Sequence, residues 1–212
     1  MSLKTRSQLF PLMLIVALLG LVQRDVQAND ASSGDKGVVA EKSSDDARAA
    51  AVLEQECMEE KASSCASLGW MYTNGKGVPK DLVRAAKLYS YGCAGGVVGG
   101  CFNLAWQYEH GAGVSKNLAG AVELYEKACA GKHAKGCFNL GLIYQKGEEG
   151  LKSLTRAVQA YERSCAGRVA KGCFNLAVLY QNGEGVTQNQ DSAKRYFVMA
   201  CTLGDEAACK HK

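Results

Sequence analysis

The sequence has few of the residues with which proteins hold metals and cofactors. Only three histidines occur in 212 residues, and they are scattered as His110, His133 and His211. The cysteines form no C-x-x-C motif, which is typical of zinc sites, thiol oxidoreductases and haem attachment sites. The sequence therefore predicts no metal site and no cofactor.

The chain also lacks a strong excess of either charge. Its formal net charge is +4, which provides no broad basic field for nucleic acid or for an anionic membrane surface. We therefore predict no nucleic-acid partner. Net charge indicates no other class of partner.

A long uncharged stretch occurs near the N-terminus. Lys4 and Arg6 precede 14 uncharged residues, 9–22, which are too few to span a bilayer core of about 30 Å as a helix. Val26 and Ala28 then supply small residues at the −3 and −1 positions of a cleavage site. The pattern predicts a signal peptide over residues 1–28, a secreted or periplasmic protein, and no membrane insertion after cleavage. The alternative is an uncleaved N-terminal anchor.

Ten cysteines set a fixed period in the rest of the chain. They form five C-x7-C pairs, and successive pairs are offset by 36 residues. A period of this length is typical of stacked supersecondary units. The cysteines are Cys57, Cys65, Cys93, Cys101, Cys129, Cys137, Cys165, Cys173, Cys201 and Cys209.

Each 36-residue repeat begins with a helical pattern. A leucine lies three residues after the second cysteine of a pair and a tyrosine seven residues after it, which predicts one apolar face of a helix. A glycine then ends the helix, and six residues later an Asp, Asn or Ser can cap the next one. The columns are Leu68, Leu104, Leu140 and Leu176; Tyr72, Tyr108, Tyr144 and Tyr180; Gly75, Gly111, Gly147 and Gly183; and Asp81, Asn117, Ser153 and Asn189.

The second half of each repeat predicts a second helix. An alanine and an aromatic residue lie four residues apart on one of its faces, and it ends at the next cysteine. These columns are Ala85, Ala121, Ala157 and Ala193, and Tyr89, Tyr125, Tyr161 and Phe197. In the loop between the helices, Glu149 replaces the second glycine of the other repeats, such as Gly113, so we predict a different turn in the third repeat.

The sequence CFNLAWQYEHGAGV from Cys101, followed by Ala121 and Tyr125, resembles the Sel1-like repeat, a relative of the tetratricopeptide repeat with two antiparallel helices. Cysteines at these two positions further resemble the secreted cysteine-rich Sel1-like proteins of bacteria, the Hcp family. The resemblance covers about residues 47–209. It implies an all-α fold, a right-handed α/α solenoid of TPR-like helix pairs.

These patterns divide the chain into two segments after the signal peptide is set aside. Residues 29–46, rich in Ser, Asp, Lys and Gly, predict a flexible leader. The solenoid covers residues 47–212. Its first part matches a lone second helix, which predicts a cap over the first repeat. The predicted bounds are 47–64 for this capping helix and 65–100, 101–136, 137–172 and 173–208 for the repeats.

The cysteine pairs predict local disulfides. Residues eight apart in a continuous helix are about 12 Å apart, whereas the Cα atoms of a disulfide are about 4.4 to 6.8 Å apart. The chain must therefore reverse between them, and glycines in the interval favour a turn. Because the pairs translate with the repeat, we predict Cys57–Cys65, Cys93–Cys101, Cys129–Cys137, Cys165–Cys173 and Cys201–Cys209.

Stacked helix pairs curve into an extended concave surface on which repeat proteins bind partners. Asn103, Asn139 and Asn175, together with Gln107, lie beside the core stripe of the first helices. An asparagine amide can both donate to and accept from a peptide backbone, so these four residues are candidate contacts for a protein or peptide. The alternative is that each asparagine bonds a neighbouring helix or loop of its own solenoid. We expect a monomer.

Trp70 and Trp106 share one column, which continues as Leu142 and Val178. An exposed tryptophan pair is typical of an anchor for a partner. The helical spacing and the apolar companions instead favour packing in the core. The tyrosine columns are likewise predicted to lie in the core.

The Hcp-like relatives have been linked to penicillin binding and weak β-lactamase activity, so the resemblance implies a hydrolase as the alternative function. Serine enzymes of that chemistry use S-x-x-K, S-D-N and K-T-G motifs. After residue 28 the sequence has one S-x-x-K, Ser33 to Lys36, and neither partner motif. We therefore predict a protein- or peptide-binding scaffold with no catalytic residue.

Overall fold

The computed structural model describes the backbone of residues 34–211 and the side chains of residues 43–211. The chain divides into two parts, residues 1–38 and 39–212. The structure describes residues 34–38 of the first part, and their backbone forms the start of a helix. The predicted signal peptide, residues 1–28, lies outside the described residues.

The described residues form nine α-helices and two short 3₁₀ helices, without a β-strand. No helix within this range is long and apolar enough to cross a membrane. The α-helices are α1 (Gly34–Met58), α2 (Ala62–Asn74), α3 (Leu82–Ala94), α4 (Val98–His110), α5 (Leu118–Ala130), α6 (Ala134–Lys146), α7 (Leu154–Ala166), α8 (Ala170–Asn182) and α9 (Gln190–Thr202). The 3₁₀ helices are Glu148–Gly150 and Ala208–His211.

Helix α1 begins earlier than the sequence predicted. Its backbone is helical from Gly34, within the segment 29–46 that was expected to be a flexible leader. Residues 38–58 contain no glycine or proline and many good helix formers, so nothing in that stretch interrupts the helix. The helix ends at Met58 and α2 begins at Ala62, so the expected capping segment 47–64 includes a turn.

The fold repeats one helix pair four times. Each of α2 to α9 has 13 residues, and each packs against the helix that precedes or follows it in the chain. Repeat 1 consists of α2 and α3, repeat 2 of α4 and α5, repeat 3 of α6 and α7, and repeat 4 of α8 and α9. The first helix of each later repeat therefore lies against the second helix of the repeat before it, which is the stacking of an α-solenoid.

Caps fix the helix ends where the sequence predicted them. The four second helices begin after a side chain that accepts a hydrogen bond from the backbone N–H three residues on. The capping residues are Asp81, Asn117, Ser153 and Asn189. The four first helices end at a glycine with a left-handed backbone, with φ between 64° and 75°.

The leucine and second-helix aromatic columns form the predicted core. The rings of Tyr125 and Tyr161 are fully buried, and those of Tyr89 and Phe197 nearly so. The buried side chains form two clusters, and Tyr108 and Leu124 pack against both. The core therefore continues from repeat to repeat, as stacking requires.

The loop of repeat 3 takes a different turn, as predicted. In repeat 2, Gly113 has a φ of +77°, and a Cβ atom there would lie 2.4 Å from the backbone carbon of Leu82. The corresponding Glu149 is exposed, and it lies in the 3₁₀ helix with a φ of 54°. The loop of repeat 3 thus has room for a side chain where repeat 2 requires glycine.

Candidate functional site: the outward face of the first helices

Five disulfides form in the predicted pairing, and three of them join one repeat to the next. Their Cα–Cα distances lie between 4.5 and 4.8 Å, and each joins residues eight apart. The first four connect α1 to α2, α3 to α4, α5 to α6 and α7 to α8, and the last connects α9 to the terminal 3₁₀ helix. The second helix of each of the first three repeats is thereby fixed to the first helix of the next repeat.

Each first helix has a second stripe, which we name the outward stripe. It consists of the positions two, five and nine residues after the second cysteine of a pair. At about 100° per residue, these positions lie on the side of the helix away from the cysteine, leucine and tyrosine stripe. Its members are Ser67, Trp70 and Asn74; Asn103, Trp106 and His110; Asn139, Leu142 and Lys146; and Asn175, Val178 and Asn182, all of them exposed or half-buried.

Trp70 and Trp106 do not pack in the core, so that prediction is wrong. Trp70 is 48% exposed and Trp106 is 39% exposed. Position five lies roughly opposite the core stripe, and this angle outweighs the apolar character of the column. Leu142 and Val178, the next members of the column, are half-buried at the edge of the core.

Neighbouring side chains hold both indole rings. The Nζ atom of Lys76 lies 5.6 Å from the ring centre of Trp70, over its face. Trp106 stacks on the ring of His110, with 4.4 Å between centroids. Asn74 donates from Nδ2 to the Trp70 carbonyl at 2.8 Å. The two tryptophans are therefore exposed but positioned before any ligand arrives.

The asparagine column is linked to the buried tyrosines of the preceding repeat. Asn139 donates from Nδ2 to the hydroxyl of Tyr125 at 2.9 Å, and this hydroxyl donates to Oε2 of Glu109 at 2.7 Å. Asn175 bonds the hydroxyl of Tyr161 in the same way. These amides therefore contribute to the solenoid itself, as the alternative interpretation held.

Burial keeps these tyrosine hydroxyls protonated, so that they act as donors. It raises the pKa of Tyr161 to about 12, although the bond from Asn175 opposes the shift. Burial also raises the pKa of Tyr125, and the nearby carboxylate of Glu109 raises it further. A protonated hydroxyl can donate to an oxygen of its own repeat while it accepts from the asparagine of the next.

The remaining candidate contacts lie in two different environments. Gln107 is 1% exposed and donates from Nε2 to the Leu82 carbonyl at 3.0 Å, so it joins two repeats and is out of reach of a ligand. Asn103 is half-buried on the outward stripe, and its side chain has no hydrogen-bond partner among the described residues. Of the four candidates, Asn103 is therefore the one with a free amide.

The three histidines lie in three different environments. His110 stacks on Trp106, His133 accepts from the Gly136 N–H at 3.2 Å, and His211 stacks on Phe197. Among the side chains that the structure describes, no group of three His, Cys, Asp or Glu residues could hold a metal ion. Ser33, the first residue of the S-x-x-K motif, lies outside the described residues.

Comparison with known families identifies the repeat. The sequence model described as Sel1 repeat matches residues 62–97, 98–133, 134–167 and 170–205. Each match starts at the first residue of a first helix, three residues before the start that the cysteines suggested. The four matches together cover most of the helical pairs.

Two solved structures of similar proteins, with TM-scores of 0.73 and 0.68, have the same fold. A Sel1 repeat protein from Oxalobacter formigenes has 28% identity and a TM-score of 0.73, over 82% of this chain and 71% of that one. A protective antigen of uropathogenic Escherichia coli strains with an SLR fold has 27% identity and a TM-score of 0.68, over 74% and 34%. Cysteine rich protein B of Helicobacter pylori has 32% identity and a TM-score of 0.49, over 62% and 94%. No curated protein matches the chain.

Proposed function

The chain belongs to the Sel1 repeat family, and from that membership we propose that it is a scaffold that binds an extended segment of a partner protein along the outward stripe. Stacked repeats supply a long surface with a regular spacing of side chains. The observation that carries the proposal is the exposure of Trp70 and Trp106 at one position of consecutive repeats.

Exposed tryptophans favour a role in binding. Tryptophan is among the residues that contribute most to the free energy of protein association when a partner covers it. Both indoles are held by neighbouring groups, so their side chains lose little entropy on binding. Leu142 and Val178 continue the apolar column through the last two repeats.

Polar groups beside the tryptophans suit a peptide backbone. The free amide of Asn103 can donate and accept at once. Asn139 and Asn175 each use one N–H on a tyrosine hydroxyl and retain a carbonyl oxygen, which can accept from a ligand. An extended segment that crosses successive repeats therefore meets apolar and polar contacts side by side.

The place of action that fits this chain is outside the cytoplasm, in the periplasm or beyond the cell. All ten cysteines are paired, and disulfides of this kind persist in oxidising compartments. The predicted signal peptide supports the same location. Cell fractionation, with N-terminal sequencing of the recovered protein, tests it, and a start at Asn29 is the expected result.

A pull-down with matched variants tests the binding function. The mature chain is used to capture a partner from envelope or host-cell extract, and the affinity is then measured with the purified partner. Replacing both tryptophans with alanine (W70A/W106A) should weaken binding by about a thousandfold, because hot-spot residues often cost about 2 kcal/mol or more each.

The control is Tyr91→Ala, which removes an aromatic ring that is 67% exposed on α3. This variant should bind the partner as the unmodified chain does. The reverse pattern, with binding lost in Y91A and retained in W70A/W106A, would place the binding surface on the second helices.

A further inference from the structure

A groove runs between the second helices α5 and α7. Helix α6 packs against both, so α5 and α7 form its walls and α6 its floor. Two adjoining cavities, of about 280 and 600 Å³, share Cys129, Ala130 and Arg163 and make up this groove. It lies on the second helices, apart from the outward stripe.

Positive charge exceeds negative charge in this groove. Its charged side chains are Arg156, Arg163, Lys132 and Glu126. Glu126 accepts from the Tyr144 hydroxyl at 2.7 Å and pairs with Arg156 at 3.7 Å. Arg163 and Lys132 have no ion-pair partner among the described residues. Two cations are therefore free to meet an acidic ligand.

A small residue in the wall of α7 leaves space for a ligand. Ala160 stands in a column whose other members are Leu88, Leu124 and Tyr196. In repeat 4, Tyr196 stacks on Tyr180, with 5.5 Å between ring centroids, and fills the corresponding space. The apolar surfaces of Ala160, Leu140 and the Cys129–Cys137 disulfide are left to line the groove.

The groove between α1 and α3 offers an internal comparison. It is lined by the residues 72 positions earlier, including Glu54, Tyr72 and Arg84, and has a volume of about 220 Å³. There Tyr91 replaces Arg163. Glu60 replaces Lys132, with the same left-handed backbone but the opposite charge. The α1–α3 groove is lined by two cations, Arg84 and Lys87, and by Glu54, so its surplus of positive charge is smaller than that of the α5–α7 groove.

We propose that the α5–α7 groove is a second docking site, and that its ligand is an extended peptide segment with two carboxylates three residues apart. Arg156 and Arg163 lie seven residues apart on α7, about 10 Å along the helix axis. Three residues of a segment in the polyproline II conformation span about 9 Å, and side chains three residues apart lie on the same face of such a segment. The free guanidinium of Arg163 can donate two hydrogen bonds to one carboxylate, and Arg156, which lies 3.7 Å from Glu126, can donate to the second, while an apolar side chain between the carboxylates covers Ala160.

Fluorescence anisotropy of a short labelled peptide tests the site on the full disulfide-bonded chain. The probe has Glu-Leu-Ser-Glu at its centre, and its matched control has Gln-Leu-Ser-Gln. The glutamate peptide should bind at least about tenfold more tightly, because each carboxylate makes charge-assisted hydrogen bonds, and added salt should weaken it. Equal affinity for the two peptides overturns the proposal.

Two variants taken from the chain's own columns locate the binding. A160L introduces the residue found at 88 and 124 and fills the groove without changing charge, and R163M introduces the residue found at 199. Each should weaken the glutamate peptide by about tenfold or more. Because the side chain of Arg163 is exposed, R163M should preserve the fold even if A160L disturbs it.

Y91M, at the position of Arg163 in the α1–α3 groove, is the matched control and should leave peptide affinity unchanged. W70A/W106A should also leave it unchanged, which separates this site from the outward stripe. Peptide binding that survives both A160L and R163M contradicts the proposal, as does binding that W70A/W106A abolishes.

Discussion

The hydroxyl of Tyr125 donates to Oε2 of Glu109 at 2.7 Å, between the two helices of repeat 2. Tyr161 donates to Oε1 of Gln145 at the same distance and the same sixteen-residue offset in repeat 3. Asn139 then extends the first of these contacts into the next repeat. The bonds to Glu109 and Gln145 thus join the two helices within a repeat, which no disulfide joins, whereas the Asn139 bond joins α5 to α6, which the Cys129–Cys137 disulfide also joins.

Removal of one hydroxyl should destabilise repeat 2 more than repeat 3. Tyr125→Phe leaves the Glu109 carboxylate and the Asn139 amide without their partner, and should cost about 1.5 to 3 kcal/mol of unfolding free energy. Tyr161→Phe leaves two neutral amides, those of Gln145 and Asn175, without their partner and should cost about 1 kcal/mol, because no charged group is left unpaired. Urea unfolding followed by circular dichroism measures both values.

The ring space itself tolerates phenylalanine, since Phe197 occupies the same column in repeat 4. Tyr91→Phe, which removes an exposed hydroxyl, is the control and should change stability by less than about 0.5 kcal/mol. An effect of Y125F no larger than that of Y91F would mean that the Tyr125–Glu109 bond contributes nothing to stability.

The asparagine column should divide into two kinds of residue. Asn139→Ala removes the donor to Tyr125 and should cost about 1 kcal/mol of stability, whereas Asn103→Ala should leave stability within about 0.5 kcal/mol. Asn103→Ala should instead weaken the partner of the outward stripe. Thermal unfolding and a binding titration on the same samples separate the two effects, and equal stability losses would contradict the division.

Alkaline pH should unfold the protein as the buried tyrosines ionise. Burial raises the pKa of Tyr144 and of Tyr161 to about 12, against about 10 in an unfolded chain. A raised pKa in the folded state means that this stabilisation is complete below about pH 10 and is lost as the pH rises toward about 12. The free energy of unfolding should therefore fall across that window.

Tyrosinate absorbance and circular dichroism, recorded together, check this expectation. Ionisation of the buried tyrosines should coincide with loss of helix, and Y161F should show a shallower fall of stability with pH. Ionisation of all tyrosines in a fully helical protein would show that the hydroxyls are accessible to solvent.

Local signals in the sequence were enough to predict the helix ends and the disulfides. Asp81 and Gly75 act on neighbouring backbone groups, so their positions alone determine a cap and a turn. The pairing of Cys129 with Cys137 follows from the period of the chain. The fold of the repeats could be predicted for the same reason.

The contacts between helices were harder to predict. Thr73, Glu109 and Gln145 occupy one column and share only a side-chain oxygen, so no residue pattern indicated that they bond the buried tyrosines. The exposure of Trp106 depends on the angle between position five of the first helix and the core stripe. The apolar residues in its column favoured a position in the core instead. The α5–α7 groove depends on the small side chain of Ala160. The space that this side chain leaves is apparent only when the repeats are compared in three dimensions.

A pair of glycine variants separates backbone strain from close approach. Gly113 and Gly150 both have a φ of +77°, so alanine at either position should incur a similar backbone penalty of about 1 kcal/mol. A Cβ atom at Gly113 would also lie 2.4 Å from the backbone carbonyl of Leu82, whereas nothing lies within 4 Å at Gly150. G113A should therefore lower the melting temperature much more than G150A, and equal losses would mean that α3 moves away without cost.

Two disulfides should differ in their contribution although their loops have the same length. A loop of eight residues predicts about 2.5 kcal/mol for each on the chain-entropy model. Cys129–Cys137 joins two repeats and is buried, while Cys201–Cys209 holds the terminal 3₁₀ helix, with Cys209 exposed. C129A/C137A should thus lose more unfolding free energy than C201A/C209A, because only the first pair also loses packing in the middle of the solenoid.

Urea unfolding of the two double variants measures this difference, and fully reduced protein gives the combined effect of all five bonds. The single-pair variants should keep their helices, because each repeat retains its leucine and aromatic columns. Equal losses for the two pairs would mean that the disulfides act through the unfolded chain alone. A larger loss for C201A/C209A would mean instead that the terminal 3₁₀ helix, through buried Ala208, holds the end of the core more strongly than the internal disulfide holds its middle.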